Sequence, residues 1–442
     1  MLPRLLYSIL LVVLAPVAWA WLLWRARATK DAWHLWSAER FGRYPQPWDL
    51  APPVWLHAAS VGEVRAAKPL IKALLSQGET ILLTHFTPTG RAEAMRLLAQ
   101  EINQGQVALQ WLPYDFEAAM RRFWRHFSPR IVILIEREVW PNLMAVASAN
   151  QTPVVLASAR LSEKSLRRTV WIDRLFGGLM HDAYRQIAVA LAQSPADAQR
   201  LFEVGAPEIE VCGNLKFDIQ LPQVALDAGR HWREQIDRPV VAIASTREGE
   251  DQLMVPLIDQ RLKAQALGAE SKKPLFLLIP RHPQRFDEAA RQLDATGCRY
   301  ARWSVLRDDP KGAAYAAQLD VVLGDTMGEM PFFYAASDIA IVGGSFERHG
   351  GQNFIEPCAI AVAVIVGPHT HNFAQALSSA VDAQAVVQVA DAQAAFVQLQ
   401  RWLDEPELAK EVAKRAQAWV THHIGATERM VQKINDLLAR SG

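Results

Sequence analysis

The sequence predicts an α/β protein of two domains, each built on a parallel sheet, behind an N-terminal transmembrane helix. Its length of 442 residues is too great for one ordinary hydrophobic core. Short, continuously apolar runs alternate with longer helical patterns in two separate series, which is typical of parallel sheets covered by helices on both faces. An uncharged apolar segment precedes both series.

The apolar segment runs from Leu5 to Trp24 and is long enough for about 30 Å of helix. Ala18-Trp19-Ala20 resembles a signal-peptidase site. However, the apolar run continues beyond it and only Arg4 precedes the segment, which favours a retained anchor over a cleaved signal. The basic residues that follow the segment are Arg25, Arg27 and Lys30. The positive-inside rule therefore predicts a single-pass anchor in residues 1–30, with the remaining chain in the cytoplasm.

The two α/β series define the expected domains. The first predicts seven strands, with the sequences VWLHAA, TILLTHF, VALQWL, RIVILIE, PVVLASA, QIAVAL and IEVCG. The second predicts five, with the sequences VVAIAS, LFLLIP, VVLGD, IAIVGG and AVIVG. Residues 219–238 have no strand signal and are interpreted as a linker. We therefore expect domains at residues 31–218 and 239–405, followed by an amphipathic helical segment at residues 406–442.

The composition excludes several classes of function. A net charge of +1 gives no general attraction to nucleic acid, and none is expected as a partner. The three cysteines are far apart and form no C-x-x-C pair, which indicates a reducing compartment and no zinc site. The sequence has no Walker A motif, no G-x-G-x-x-G after a strand, no HExxH and no order of residues that suggests a Ser/His/Asp triad. We expect no metal site.

Charged residues follow several of the predicted strands. They are Glu63, Glu136, Arg160, Lys216 and Arg281. Open α/β sheets bind ligands at the carboxyl ends of their strands, so these side chains are candidates for a site. Each one taken singly also fits an ordinary surface charge at a strand end.

The stretch HAASVGE, which ends at Glu63, has two interpretations. Ser60 and Glu63 fit the S-x-x-E capping box, in which each side chain satisfies a backbone donor at a helix start. A carboxylate at the end of a strand also suits a general base. The spacing of the two residues leaves both roles open.

A glycine-rich region from Gly324 to Pro368 predicts an anion site. Its Gly343-Gly344 and Gly350-Gly351 pairs permit close backbone approach to a ligand. A helix predicted to begin at Asn353 would offer free N–H groups, and Glu356 in its first turn suits ribose hydroxyls. The alternative is a glycine loop whose carboxylate only stabilises the helix dipole.

The segment AMRRFWRHFSPR interleaves arginines with aromatic residues. Arg121, Arg122 and Arg125 alternate with the aromatic residues Phe123, Trp124 and Phe127. Such a helix is suited to binding RNA, to resting on an anionic bilayer, or to forming a solvated amphipathic surface. The N-terminal anchor favours the membrane over nucleic acid.

Nine motifs in order make the chain resemble the bacterial Kdo transferases, which move 3-deoxy-D-manno-octulosonic acid (Kdo) from CMP-Kdo to lipid A precursor. The motifs are HAASVGE, THFTPTG, LPYD, REVWPN, ARLS, GNLKFD, PRHP, GDTMGE and GGQNFIEP. The resemblance covers nearly the whole chain. It implies a GT-B fold, in which two Rossmann-like domains face each other across a cleft. It also implies an inverting glycosyltransferase of lipopolysaccharide biosynthesis.

The resemblance implies roles for three residues of the N-terminal domain. Glu63 in the SVGE motif is the expected proton acceptor, and Glu136 and Lys216 are the expected transition-state stabilisers. We expect Glu63 to stay ionised at neutral pH, because the helix dipole favours its charge. Arg137 departs from the family pattern, which has a small polar residue such as threonine beside Glu136.

The resemblance places the nucleotide on the C-terminal domain. The implied contacts are Pro280, Arg281, Met327, Gly328, Glu329, Asn353, Phe354, Ile355 and Glu356. Lys216 and Arg281 are expected to neutralise the departing CMP, so no metal or other cofactor is expected.

The implied partners are CMP-Kdo, lipid A precursor and inner-membrane lipids. Because the acceptor is a phosphorylated lipid, we expect Arg121, Arg122 and Arg125, together with Arg160, to contact it or the bilayer. Two rival interpretations remain. One is another GT-B enzyme, such as a lipid A disaccharide synthase or a nucleotide-sugar epimerase. The other is an anchored nucleotide-sugar-binding protein without catalysis.

Overall fold

The computed structural model describes residues 2–29, 33–48, 50–266 and 273–441. The chain forms two compact units. The first comprises the chain up to Ile219 and the segment from His423 onward, and the second comprises Gln220–His422. Each unit contains one parallel sheet of seven strands.

The strands of the first sheet lie in the order β3-β2-β1-β4-β5-β6-β7, and those of the second in the order β10-β11-β9-β8-β12-β13-β14. Their bounds are β1 Val54–His57, β2 Ile81–His85, β3 Val107–Trp111, β4 Ile131–Ile135, β5 Val154–Ala159, β6 Val189–Ala192, β7 Ile209–Val211, β8 Val240–Thr246, β9 Leu275–Pro280, β10 Tyr300–Arg302, β11 Val321–Leu323, β12 Ile339–Val342, β13 Ala363–Val366 and β14 Val387–Gln388.

Helices connect the strands and cover both sheets. Their bounds are α1 Leu2–Thr29, α2 Val61–Ser76, α3 Pro88–Leu97, α4 Ala99–Asn103, α5 Glu117–Phe127, α6 Pro141–Ala149, α7 Glu163–Phe176, α8 Leu179–Tyr184, α9 Pro195–Glu203, α10 Gln223–Glu234, α11 Glu250–Ala266, α12 Phe286–Asp294, α13 Trp303–Leu306, α14 Gly312–Ala316, α15 Met330–Ala335, α16 Ile355–Ala359, α17 Ala374–Asp382, α18 Ala392–Asp404, α19 Pro406–His423 and α20 Ala426–Ser441. Short 3₁₀ turns occupy Ala38–Phe41, Leu215–Phe217 and Pro283–Arg285.

The central strands are buried on both faces, as their apolar sequences predict. Every residue of β1, β4, β8 and β12 is buried. In the first sheet, β1 lies between β2 and β4, with Val54 beside both Ile81 and Ile131. The carboxyl ends of β1 and β4 are therefore adjacent, and the loops that follow these two strands meet at one edge.

All twelve strands predicted from the sequence are present. The second sheet has two further strands, β10 and β14, at its two edges. They contain three and two residues, and only part of their surface is buried. A short edge strand does not need the continuous apolar sequence that marks a central strand, so the sequence carried no signal for either.

The structure differs from the predicted boundaries in the linker region. Helix α10 lies within residues 219–238, where a connection without regular structure was expected, and it belongs to the second unit. Pro222 is its N-cap, and Gly229 packs against the backbone of Phe332 on α15. The contact between α10 and α15 leaves no room for a Cβ at position 229. Gly229 therefore allows close packing of the two helices and does not mark a break in α10.

The C-terminal segment also differs from the single amphipathic helix that was expected. It forms α19 and α20, separated at Gly425, whose φ of +96° favours glycine. Helix α20 returns to the first unit, where Asp218 accepts the Gly425 N–H at 2.7 Å. Met430 and Ile434 are fully buried in the core of that unit.

The expected anchor is a continuous helix. Within α1, the segment Leu2–Trp24 is long and apolar enough to cross a membrane. Of the three basic residues expected after it, Lys30 and the side chains of Arg25 and Arg27 lie outside the described residues.

Candidate functional site

The carboxyl edge of the first sheet brings together three of the residues predicted from the sequence. Glu63 lies in the first turn of α2, which follows β1. Glu136 comes directly after β4, and Lys216 lies in the 3₁₀ turn after β7. The Lys216 Nζ is 2.9 Å from the Glu136 Oε1, and both side chains are largely buried. A carboxylate and an ion pair thus occupy one edge of the sheet.

Glu63 has the capping role that its spacing predicts. The Ser60 side chain accepts the Glu63 N–H at 3.4 Å, and the Glu63 Oε2 accepts the Ala59 N–H at 2.6 Å. The second bond goes to the residue before the N-cap and not to Ser60 itself. One Glu63 oxygen is therefore engaged by the backbone.

The expectation that Glu63 stays fully ionised at neutral pH is wrong. Burial, followed by the nearby carboxylates of Glu136 and Glu138, raises the pKa of Glu63 to about 7, against the lowering effect of the Ala59 N–H. Desolvation here outweighs the helix dipole. A pKa near neutrality suits a group that must accept a proton during attack and release it afterwards.

This pKa predicts the pH dependence of any reaction in which Glu63 acts as the base. A base acts only in its ionised form, and the ionised fraction of Glu63 falls about tenfold for each pH unit below 7. We therefore expect kcat/KM to rise about tenfold per unit up to about pH 7 and then to level off. The check is a pH–rate profile of the native chain beside Glu63→Gln, whose residual rate should lack this rise. A native profile that is flat between pH 5 and 7 would exclude Glu63 as the base.

Glu136 is held in a strained backbone conformation. Its φ is +63°, which a glutamate rarely adopts. Its N–H donates to the Ala157 carbonyl at 3.0 Å, and its own carbonyl accepts the Arg160 N–H at 3.1 Å. Such strain persists where neighbouring structure fixes the backbone, and it is concentrated at functional sites.

The turn that carries Lys216 is fixed by two polar side chains. Asn214 caps it by accepting the Lys216 N–H at 2.9 Å. Ser158, at the end of β5, accepts the Leu215 N–H at 3.4 Å and itself has a φ of +51°. The turn therefore presents Lys216 toward Glu136 from a fixed position.

Glu138 was not predicted from the sequence as a member of the site. Its carboxylate accepts the Trp140 Nε1–H at 3.1 Å, and burial raises its pKa. It is one of the two carboxylates that raise the pKa of Glu63. The REVWPN motif contains Glu138, but the motif does not indicate which side chains of this loop are exposed and which are buried. Arg137, the departure from the family pattern, has an exposed side chain.

The glycine-rich loop of the second unit is built around a buried carboxylate. Glu250, at the start of α11, accepts the N–H groups of Gly344 at 2.5 Å and Phe346 at 2.8 Å. A Cβ on Gly343 would lie 2.8 Å from the Glu250 Oε2 and from the Thr246 Cα. Position 343 therefore requires glycine, because Glu250 and Thr246 occupy the space that a side chain would need. Glu250 was missed, because an acid at a helix start normally faces solvent.

The helix predicted from Asn353 begins two residues later, at Ile355. Asn353 accepts the Ile355 N–H at 3.1 Å and donates to the Glu356 Oε1 at 2.9 Å. Phe354 is buried and stacks on Trp419, with ring centroids 6.0 Å apart. Phe354 and the buried Ile355 thus support the backbone, while the Asn353 and Glu356 side chains form one polar unit.

Arg281 and Glu356 both act on the buried side chain of Tyr334. Arg281 follows Pro280 at the end of β9, and its N–H donates to the Thr246 carbonyl at 2.9 Å. Burial raises the pKa of Tyr334 well above its usual value, Glu356 raises it further, and Arg281 lowers it. Both charges therefore act on the same buried ring. The structure brings these two predicted nucleotide contacts into one electrostatic neighbourhood.

The GDTMGE turn supplies the remaining predicted contacts. Glu329 accepts the Trp303 Nε1–H at 3.1 Å and a bond from the Thr326 hydroxyl. Gly328 has a φ of +87°, and the Met327 side chain is 54% exposed. The carboxylate is held by the fold, whereas Met327 is accessible to a ligand.

The aromatic residues of AMRRFWRHFSPR do not reach the surface. Phe123, Trp124 and Phe127 lie on α5 and are buried in the core of the first unit. They pack against Trp55 and against one another. In this conformation they cannot stack on bases or enter a bilayer. The amphipathic pattern of α5 thus reflects a helix packed on a sheet.

The arginines of α5 have different surroundings. Arg121 forms an ion pair with Glu117, with the Arg121 Nη2 at 2.6 Å from the Glu117 Oε1. Arg122 donates two hydrogen bonds to the Phe41 carbonyl, which ties α5 to the preceding 3₁₀ turn. Arg125 is exposed. Arg122 therefore has a structural role, and Arg121 and Arg125 are the two on the surface.

Comparisons with known proteins agree with this architecture. Residues 36–219 match the family described as "3-Deoxy-D-manno-octulosonic-acid transferase (kdotransferase)". The 3-deoxy-D-manno-octulosonic acid transferase of Bordetella pertussis is 48% identical over 434 residues, which cover 98% of this chain and 99% of that protein. The transferase of the same name from Haemophilus influenzae is 32% identical over 91% of this chain and 92% of that protein.

A solved glycosyltransferase from Rickettsia africae aligns with a TM-score of 0.55, covering 90% of this chain and 99% of that one. At 13% identity, this similarity shows the fold alone, which is the GT-B type with two Rossmann-like domains. The extent of the sequence identities settles the family. The chain belongs to the Kdo transferase family of glycosyltransferases.

Proposed function

We propose that this chain transfers Kdo from CMP-Kdo to a sugar hydroxyl of lipid A precursor. The observation that carries the proposal is the edge of the first sheet, where Glu63, with a pKa of about 7, lies in the electrostatic field of Glu136, the partner of Lys216. A sugar hydroxyl is a poor nucleophile until a positioned base accepts its proton. This edge supplies such a base beside a cation.

In the proposed reaction, Glu63 accepts the proton as the acceptor oxygen bonds to the anomeric carbon of Kdo. The bond from that carbon to the CMP phosphate breaks, and its electron pair leaves with CMP. Lys216 stabilises negative charge that develops in the transition state, and Glu136 holds the ammonium group in position. Attack from the face opposite the leaving group inverts the anomeric configuration. The residues require no metal for these steps.

The proposed nucleotide site lies on the second unit. Arg281 would neutralise the CMP phosphate, and Glu356, oriented by Asn353, would accept the ribose hydroxyls. The proposed role of Pro280, Phe354 and Ile355 is to hold the backbone beside Arg281 and Glu356 in place. The Met327-Gly328-Glu329 turn would complete the nucleotide site. The glycine loop held by Glu250 would approach the ligand closely.

A thermal melt with nucleotides tests this site. CMP at about 100 times its Kd should stabilise the chain by about 2.7 kcal/mol, whereas UDP should produce no comparable rise in Tm. Arg281→Gln should abolish most of the CMP shift, and Arg401→Gln, on the exposed surface of α18, should retain it. A UDP shift equal to that of CMP would contradict the proposal and favour a UDP-sugar enzyme.

We propose that the chain works on the cytoplasmic face of the inner membrane, where lipid A precursor is embedded. Helix α1 supplies the attachment. Arg160 follows β5, and its backbone N–H donates to the Glu136 carbonyl. Its side chain would meet an acceptor phosphate. Arg121 and Arg125 are on the surface for bulk lipid, and Arg122 contributes by fixing α5.

A further inference from the structure

The first part of α1 is fastened to the first unit by polar contacts. The Arg4 Nη1 lies 3.0 Å from the Glu117 Oε2 at the start of α5. Tyr7 donates to the Asp115 Oδ2 at 3.0 Å. Polar groups inside a bilayer-crossing helix are costly unless they are paired, and these are paired with the folded unit itself.

The far end of α1 rests on the same unit. The Trp19 ring lies 4.5 Å from the Trp36 ring and 6.0 Å from the Tyr114 ring, measured between centroids. Leu22 is buried with Leu35 in a small apolar cluster. Arg4 and Leu22 are separated by about 27 Å along the helix, at about 1.5 Å per residue. The helix therefore contacts the first unit from Arg4 to Leu22.

This packing is incompatible with a helix that crosses the bilayer. A crossing helix holds its two ends on opposite sides of a hydrocarbon core about 30 Å thick. Here Arg4 and Trp19 contact the same folded unit, and one folded unit cannot lie on both sides of the hydrocarbon core. For α1 to cross, the contacts of Arg4, Tyr7 and Trp19 would all have to break.

The side of α1 that faces away from the unit is a continuous apolar stripe. Its residues recur every three or four positions, as one helix face requires. They are Leu2, Leu5, Ile9, Val13, Val17, Trp21 and Trp24, which are between 52% and 68% exposed. A docked helix with such a stripe has the form of an interfacial anchor, whose apolar side enters the boundary between headgroups and acyl chains.

Helix α7, which contacts α1, carries further exposed apolar side chains. Trp171 and Leu175 on α7 are 62% and 61% exposed. The end of α7 lies beside the start of α1, since a Cβ on Gly177 would be 3.8 Å from the Pro3 Cγ. Four cations also lie on α7: Lys164, Arg167, Arg168 and Arg174.

The acidic groups of α7 are engaged within the protein. Glu163 lies 3.5 Å from Arg167. Asp173 accepts the backbone N–H groups of Met180 at 2.6 Å and His181 at 3.1 Å. The cations of α7 outnumber its acids by four to two, which complements an anionic lipid surface.

We propose that the apolar stripe of α1 and the exposed side of α7 form one surface that docks on an anionic bilayer, with α1 lying in the membrane plane. This α1–α7 surface specifies how the chain attaches to the membrane, and the inference rests on the proposed function. It replaces the single-pass anchor with a helix that lies in the membrane plane.

The surface is coupled to the catalytic edge through two loops. Ser8 on α1 contacts Asn142 at 3.2 Å, and α6 begins directly after the loop that carries Glu136 and Glu138. Helix α7 begins shortly after Arg160, whose N–H donates to the Glu136 carbonyl. Docking at this surface would thus hold the base at a fixed height above the lipid.

Topology can be tested with epitope tags at the two ends of the full-length chain, expressed in a bacterial inner membrane. In-plane docking predicts that added protease removes both tags from inverted membrane vesicles and neither from intact spheroplasts. Removal of the N-terminal tag from spheroplasts alone would mean that α1 crosses the bilayer, and it would overturn the proposal.

The contribution of α7 can be tested with Trp171→Ser/Leu175→Ser. Flotation with vesicles of phosphatidylethanolamine and phosphatidylglycerol should fall about tenfold or more, because two exposed apolar side chains no longer enter the bilayer. The matched control, Val224→Ser/Val397→Ser, removes exposed apolar side chains from the second unit and should float like the native chain. Equal flotation of both variants would overturn the role of α7.

A detergent-dispersed acceptor separates this inference from the proposed function. The α7 variant should retain normal transfer to that acceptor and lose it on vesicles. Loss of transfer to both acceptors at unchanged vesicle flotation would overturn the docking role. Absence of transfer by the native chain to any acceptor would refute the proposed function, while the tag and flotation results would still decide the docking surface.

Discussion

Replacing Glu63 by glutamine is expected to lower Kdo transfer about a hundredfold or more, the range for loss of a general base. In the native chain, the Ala59 nitrogen lies 2.6 Å from the Glu63 Oε2. Glutamine retains a carbonyl oxygen that can accept the same hydrogen bond. It cannot take the acceptor's proton. The Tm should therefore remain close to the native value. The measurement is initial rate with CMP-Kdo and lipid A precursor, paired with a thermal melt.

Ser60→Ala is the matched control for Glu63→Gln. It removes the oxygen that accepts the Glu63 N–H but leaves the carboxylate in place. Loss of this cap should cost about 1 kcal/mol of stability and leave the rate within a few fold of native. Near-normal transfer by Glu63→Gln would make Glu63 only a cap, and Glu136 would become the next candidate for the base.

Lys216→Met is the second change with a large expected effect. It removes the ammonium group 2.9 Å from Glu136, in a pair whose side chains are only 20% and 12% exposed. Transfer should fall about 10²- to 10³-fold, as when one preorganised charge-stabilising group is lost. Stability should also fall, by up to about 3 kcal/mol, because the Glu136 carboxylate is left buried without this partner.

The double variant Glu136→Gln/Lys216→Met separates the two effects. Because it removes both charges, most of the lost stability should return. Transfer should stay low, because the cation is still absent. Recovery of the rate together with the Tm would show that the pair serves folding alone, and it would contradict the catalytic role of Lys216.

The sequence carried most of the information on the sheets because central parallel strands must be apolar throughout. The seven runs from VWLHAA to IEVCG all became strands β1 to β7. The return of α20 to the first unit could not be predicted. It depends on long-range contacts, such as Asp218 with Gly425, which leave no local pattern.

The positions of the candidate residues were predictable from the sequence, but their electrostatics were not. Each of Glu63, Glu136 and Lys216 follows a strand in the sequence, and the carboxyl ends of parallel strands share one edge of the sheet. The pKa of Glu63 depends on desolvation and on the neighbouring Glu138, and both follow only from the packed fold. The same limit applies to α5, since an amphipathic pattern does not reveal whether its aromatic face meets lipid or a protein core.

The most direct test of the account is to incubate the purified full-length chain with CMP-Kdo and lipid A precursor and to analyse the lipid product. The account predicts release of CMP and a lipid that carries Kdo in the anomeric configuration opposite to that of the donor. It also predicts that Glu63→Gln forms this product about a hundredfold or more slowly. A Kdo-lipid that retains the donor's configuration, or no Kdo-lipid while a UDP-sugar is consumed, would contradict it.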